Sequence, residues 1–339
     1  MYQATLFSLL IFISTLFMAW YVLLKITPWF IKVTRERGWL GRDMNKPEKN
    51  EVSELGGIPV YIGFVISLMF VLVIYYLFSF YHFSFINLTQ LVLIFITMSL
   101  MMFIGFVDDV LGWKKGISQL QHFIYPILFS VPMIVFAIIY HINSIYIPFF
   151  GVLQLGLIYA WILVPIAIDA TTNSFNLLAG FNGLESGLSA IIFTTIAIIA
   201  FIRGEITLLI ILAAWIGALL GFLEFNKYPS KIFPGDIVTL VSGVLAGISA
   251  IILRLEFLIA FLIILFIIEF IIKANHRFRT ECFGIPNKNG LLKANPKGGS
   301  LTHVVLRFGK GKLNEKNLVL VFYVIQLIIS LLTLFFFVF

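Results

Sequence analysis

Long apolar runs, each about 20 residues and set off by short polar stretches, fill most of this 339-residue chain. A run of that length crosses the hydrocarbon core of a bilayer as a helix. The runs fall at roughly 3–27, 56–80, 88–107, 118–141, 151–171, 184–202, 205–223, 236–253, 255–273 and 316–337. They lack the alternation of a membrane barrel, and a helix satisfies its own backbone groups in lipid. The pattern predicts an all-α integral membrane protein: one polytopic domain of about ten transmembrane helices. The first run has no basic residues before it and no small-residue cleavage site after it, so it reads as a retained helix.

The basic residues orient these helices. Of 23 Lys and Arg, all but Arg203 and Arg254 fall in, or at the helix ends beside, the odd-numbered connections. Such residues concentrate on the cytoplasmic side. The odd connections are therefore expected inside and both termini outside. Two of these connections, 28–55 and 274–315, are long, whereas the outer ones are short and almost uncharged.

Composition narrows the function classes. The chain is 61% hydrophobic and 12% charged, against roughly 25% charged in soluble domains. The net charge of +7 is read as a topology signal, and nucleic acid binding is a poor reading for a chain with so little soluble surface. Cys282 is the only cysteine, which excludes an internal disulfide and a cysteine metal cluster. No internal repeat of the transporter kind is visible.

The remaining polar residues gather at helix ends on the expected cytoplasmic side. Asp108 and Asp109 end the run Leu91–Val107, with Lys114 and Lys115 just beyond. Their bland reading is a solvated helix end; but carboxylates there oppose the helix dipole, which favours cation binding or proton handling. Asp169, Asn173 and Asn176 share a helix face, and Asn182 and Glu185 follow around Gly180 and Gly183. These amides either cap helices or meet a ligand that the glycines let close to the backbone. Asp236 alone reads as an N-cap. Glu269 and Lys273, four apart inside a run, are expected to pair. The five histidines show no metal spacing. Polar groups confined to one face point to chemistry at the membrane surface rather than passage through it.

Taken in order, Gly56-Gly57-Ile58-Pro59, Asp108-Asp109, the Asn173…Asn176…Asn182-Gly183-Leu184 segment and Gly235-Asp236 resemble the polyprenyl-phosphate N-acetylhexosamine-1-phosphate transferase family. The central segment Asn176–Glu185, Gly41–Lys46 and Asn317–Leu320 look like the eukaryotic and archaeal branch, the UDP-GlcNAc:dolichyl-phosphate GlcNAc-1-phosphate transferases. The last long connection departs from it: His276-Arg277-Phe278-Arg279 stands where the eukaryotic enzymes carry Arg-His-Arg.

The resemblance implies a magnesium-dependent phosphoglycosyltransferase, with manganese as the second candidate ion. Its substrates would be UDP-GlcNAc and a polyprenyl or dolichyl phosphate in the bilayer, its products polyprenyl-PP-GlcNAc and UMP. It implies Asn176 and Asp236 as metal ligands. Lys114 or Lys115 would hold phosphate, positioned with Asp108 and Asp109. Met44, Glu54, Asn173, Asn182, Glu185 and Phe233 would bind the nucleotide side of the substrate, and Arg277 and Arg279 the sugar and diphosphate. The membrane would be the plasma membrane for an archaeal protein and the endoplasmic reticulum for a eukaryotic one; a homodimer is compatible with either. Two alternatives stay open: a relative acting on another UDP-N-acetylhexosamine or on bacterial undecaprenyl phosphate, and a transporter.

Overall fold

A computed structural model describes residues 2–79, 85–112 and 116–338. The chain runs α1 (Tyr2–Glu36), β1 (Leu40–Arg42), β2 (Glu51–Ser53), α2 (Gly57–Ser79), α3 (Leu88–Leu111), α4 (Gln119–Phe129), α5 (Val131–Ile139), β3 (Ser144–Ile147) and β4 (Gly151–Gln154). There follow α6 (Val164–Leu177), α7 (Leu184–Arg203), α8 (Ile206–Asn226), α9 (Gly235–Leu253), α10 (Glu256–Leu262), α11 (Ile264–Asn275), β5 (Ile285–Pro286), β6 (Leu292–Lys293), α12 (Leu301–Phe308) and α13 (Glu315–Val338). The strands form three separate two-stranded antiparallel ribbons at the ends of the bundle.

Among the described residues, eight helical stretches are long and apolar enough to cross a membrane, with α4 and α5 counted as one. A ninth forms if α10 and α11, bent 76° apart at Ile263, are taken together. Two expected boundaries move. Helix α1 passes through Pro28 to Glu36, so the first connection starts later than residue 28. The run expected at 151–171 instead begins as strand β4, and helix occupies 157–177, including a wide turn at Tyr159–Leu163. Here Ser144–Ile147 and Gly151–Gln154 pair across a tight turn, and β-branched Ile145, Ile147 and Val152 suit a ribbon.

Helices α7, α8 and α9 form the centre; 94% of the apolar stretch of α9 is buried, against 28% for α1. These helices are apolar all round because protein surrounds them on every side. Small residues let them approach closely. A Cβ on Gly243 or Gly247 would press on Thr171 and Thr172 of α6, and one on Gly105 of α3 would strike the backbone of Asp236 and Ile237. The glycines thus bring the C-terminal ends of α3 and α6 against the N-terminal end of α9, where the polar clusters meet.

Candidate active site

Gly105 sets α3 against the first turn of α9, and Asp109 lies one turn further along α3. Its carboxylate accepts hydrogen bonds from the backbone N–H groups of Asp236 (2.7 Å) and Ile237 (3.4 Å). Those donors have no partner within their own helix, so Asp109 caps α9 from a neighbouring helix. Asp108 points elsewhere. Its Oδ1 accepts from the Ile117 N–H (2.6 Å), and its Oδ2 lies 3.2 Å from Nε2 of His122. His122 stands in the first turn of α4, which Ser118 and Gln121 cap reciprocally. Asn173 ties that turn to α6: its amide donates to the His122 carbonyl (3.1 Å) and to the Asp169 carboxylate (2.7 Å).

Asp108, His122 and Asp236 each offer a ligand atom, all within 4.8 Å of one another. The Asn176 amide lies against the Asp236 carboxyl, and its oxygen accepts from the Thr239 hydroxyl (2.8 Å). The group therefore draws on four helices.

Two cavities open beside it. The larger, about 690 Å³, is walled by Gly41–Met44, Ala179–Asn182 and Phe283, with Glu185 and Asn226 behind. The smaller, about 570 Å³, runs along Asp108, Asp109 and the Gly116–Gln119 turn. They share Glu54, Phe233, Gly235 and Asp236. Burial raises the Glu54 carboxyl above the usual carboxylate range.

The wall of the larger cavity is cross-linked over long sequence distances. Asn45 donates to the Gly180 carbonyl (2.7 Å) and accepts from the Gly284 N–H (3.0 Å). Asn182 donates its side-chain amide to Asp43 (3.1 Å) and its backbone N–H to Glu315 (2.8 Å). Lys46 pairs with both Asp43 and Glu315. The Glu185 Oε1 accepts from the Gly180 N–H, whereas its buried Oε2 has no hydrogen-bond partner among the described residues.

Most expected residues converge here. Met44, Glu54, Asn182, Glu185, Phe233 and Asp236 line the larger cavity, and Asp108 and Asp109 the smaller. Lys114 and Lys115 lie outside the described residues. Asn173 lines neither cavity and serves as a tie between helices. Arg277 and Arg279 are exposed and line neither. The chain leaves α11 through left-handed Arg277 and Phe278, whose ring packs on Phe123 and Phe270. Among the described residues, Arg42 and Lys49 are the basic ones that line the larger cavity. Glu269 and Lys273 pair as expected, at 3.6 Å.

His122, Asp43 and Asn45 acquire positions the sequence did not assign. His122 is remote in sequence from both carboxylates it meets, so no local spacing could mark it. Asp43 and Asn45 sit in the polar Gly41–Lys46 cluster, which was the available signal.

Comparison with known proteins gives the family. Residues 91–254 match the pattern of Glycosyl transferase family 4. A Sulfolobus acidocaldarius protein, provisionally named a UDP-N-acetylglucosamine–dolichyl-phosphate N-acetylglucosaminephosphotransferase, is 35% identical over 97% of both chains. A Saccharolobus solfataricus protein with the same provisional name is 32% identical over 84% of this chain and 85% of its own. A phospho-N-acetylmuramoyl-pentapeptide-transferase of Borreliella burgdorferi is 33% identical over 76% of this chain and 75% of its own.

Proposed function

This chain belongs to glycosyl transferase family 4, and on that premise we propose that it transfers GlcNAc-1-phosphate from UDP-GlcNAc to a polyprenyl phosphate of the dolichyl type. The products are polyprenyl-PP-GlcNAc and UMP. One observation carries the reading: two cavities, the larger beside Gly41–Met44 and the smaller along the carboxylate-bearing helix ends, meet at Asp236. A donor in the first and an acceptor phosphate in the second face each other across that junction.

In this reading Phe233 offers a stacking face to the uracil, and Asn182 keeps one donor and its acceptor for the base edge. Met44 and Glu185 complete the nucleotide side. Arg42 and Lys49 compensate the diphosphate, while Lys114 or Lys115 receives the lipid phosphate. A phosphate monoester is largely ionised near neutrality, with a second pKa of about 6, so the attacking oxygen needs no strong base. Asp108 positions its surroundings, and Asp109 holds α9 so that Asp236 faces the junction.

The residues present fit the magnesium that the reaction implies. Asp108, Asp109 and Asp236 gather with no Lys or Arg ion-paired to any of them among the described residues. Asp236, with the Asn176 amide beside it, would hold the ion. Bound there, it would screen the diphosphate and stabilise charge on the departing UMP.

The active site is assigned to the cytoplasmic face, with both termini outside, on the distribution of basic residues. The archaeal relatives, matching 97% and 84% of this chain, favour the dolichyl-type reading and, with it, a plasma-membrane location. Passage through the membrane is disfavoured by α9, whose residues from Ile237 to Leu253 are all buried in packed protein. The test is UMP release by purified protein. Release from UDP-GlcNAc only when polyprenyl phosphate is present supports the reading; no release, or release with UDP-N-acetylmuramoyl-pentapeptide alone, contradicts it.

A further inference from the structure

We propose that Asp43 makes the larger cavity selective for uracil over cytosine, by fixing which way round the Asn182 amide meets the base. The inference deepens the proposed function, because it rests on Asn182 as the contact to the base edge. Asn182 is buried, 5% exposed, and lines the cavity. Its side-chain amide donates one N–H to Asp43 Oδ2 at 3.1 Å. Among the described residues nothing donates to its Oδ1. The Oδ1 and the second N–H are therefore left for a ligand.

An amide is nearly symmetric in shape, so turning it about χ2 exchanges donor and acceptor. A carboxylate decides the orientation, since it only accepts. Asp43 is itself locked. Its Oδ1 accepts from the Asn45 backbone N–H (3.2 Å), and Lys46 Nζ stands 3.2 Å from its Oδ2. Lys46 is held in turn by Glu315 and by the Tyr228 ring, 4.2 Å away. With its NH2 group held at Asp43, Asn182 meets a base as acceptor and donor in one fixed order. Uracil carries an N3–H between two carbonyl oxygens. The Oδ1 takes that proton, and the free N–H reaches a neighbouring carbonyl. Cytosine has a bare N3 beside its amino group, so Oδ1 would meet a lone pair unless the amide turned round. Turned, Oδ1 would face the Asp43 carboxylate, two acceptors with no proton between them. Such an unpaired buried acceptor is costly. A simpler role, tying the first connection to the Asn182 turn, explains the hydrogen bond but gives no preference between bases.

The test is calorimetric titration of the full chain in detergent with UDP and with CDP, each beside a divalent cation. The wild type is expected to bind UDP roughly 10- to 100-fold more tightly than CDP, the span set by one hydrogen bond to a charged group. In Asp43→Ala the NH2 group loses its acceptor, and the Lys46 ammonium draws Oδ1 towards itself instead. The preference for UDP should then fall about 10-fold or more, with CDP weakened less than UDP. In an Asn182→Ala background, Asp43→Ala should leave the ratio of the two affinities unaltered, because the coupling runs through that amide. Equal affinity of the wild type for UDP and CDP overturns the proposal, and needs no variant to do so. Equal weakening of both nucleotides in Asp43→Ala also overturns it, and makes Asp43 a structural tie. A preference that Asn182→Ala removes but Asp43→Ala keeps defeats the orienting role alone and leaves the nucleotide reading standing. No binding of either nucleotide by the wild type defeats that reading, and the inference with it.

Discussion

Asp108 and Asp109 show what adjacency in sequence conceals. Neighbours on a helix point about 100° apart, and here one carboxylate meets His122 while the other caps α9. Their presence together at a helix end was legible in the sequence. Their division of labour was not, because it depends on which helices approach. The division is measurable. Asp109→Ala should lower stability by about 0.5–2 kcal/mol, as cap removal does, and reduce turnover as a consequence. Asp236→Asn should abolish turnover with little change in thermal unfolding. Equal unfolding temperatures for Asp109→Ala and wild type would contradict the cap. On the nucleotide side, Asn182→Ala and Phe233→Ala should each weaken UDP and UDP-GlcNAc in parallel. Loss of a stacking face or a hydrogen-bond pair predicts roughly 10-fold or more. Calorimetric titration with UDP checks this, and unchanged affinity in both variants would leave these residues structural.

At the scale of elements, most helices follow directly from the apolar runs, since length and hydropathy decide what a bilayer accepts. The departures arise where local chemistry competes. The ribbon of β3 and β4 takes the start of one expected span, and the α10–α11 pair breaks at Ile263. The connection carrying β1 and β2 shows this most clearly. It crosses the large cavity and is fastened by Asn45 to segments 135 and 239 residues away in sequence. No pattern within the connection announces those partners. Asn45→Ala removes both hydrogen bonds, each worth about 0.5–1.5 kcal/mol. The expected outcome is a KM for UDP-GlcNAc raised roughly 10-fold with little change in that for polyprenyl phosphate. A matching rise in both constants would show that the connection supports the whole site rather than the nucleotide wall.

The whole molecule is polarised. The carboxylates and amides of the candidate site and both junction cavities lie at one end of the bundle, while Arg203 and Arg254, with Glu205, Asn87 and Gln90, line a separate cavity of about 450 Å³ at the other. That asymmetry was the most legible feature of the sequence, because charge and hydropathy act over the whole chain. Orientation can be tested cleanly. Cys282 is the only cysteine; it is buried, and burial pushes its thiol pKa up. Background labelling should therefore be slight. Cysteines introduced at exposed Asn50 and Asn289 should resist an impermeant reagent in sealed cells and react after permeabilisation. Efficient labelling from outside would reverse the topology. The central claim is that the β-phosphorus of the nucleotide sugar moves with the sugar. UDP-GlcNAc carrying radioactive phosphorus at the β position, incubated with purified protein, polyprenyl phosphate and a divalent cation, measures this directly. The account predicts label in the extracted lipid and unlabelled UMP in solution. Labelled UDP in solution, with the sugar alone on the lipid, would contradict it.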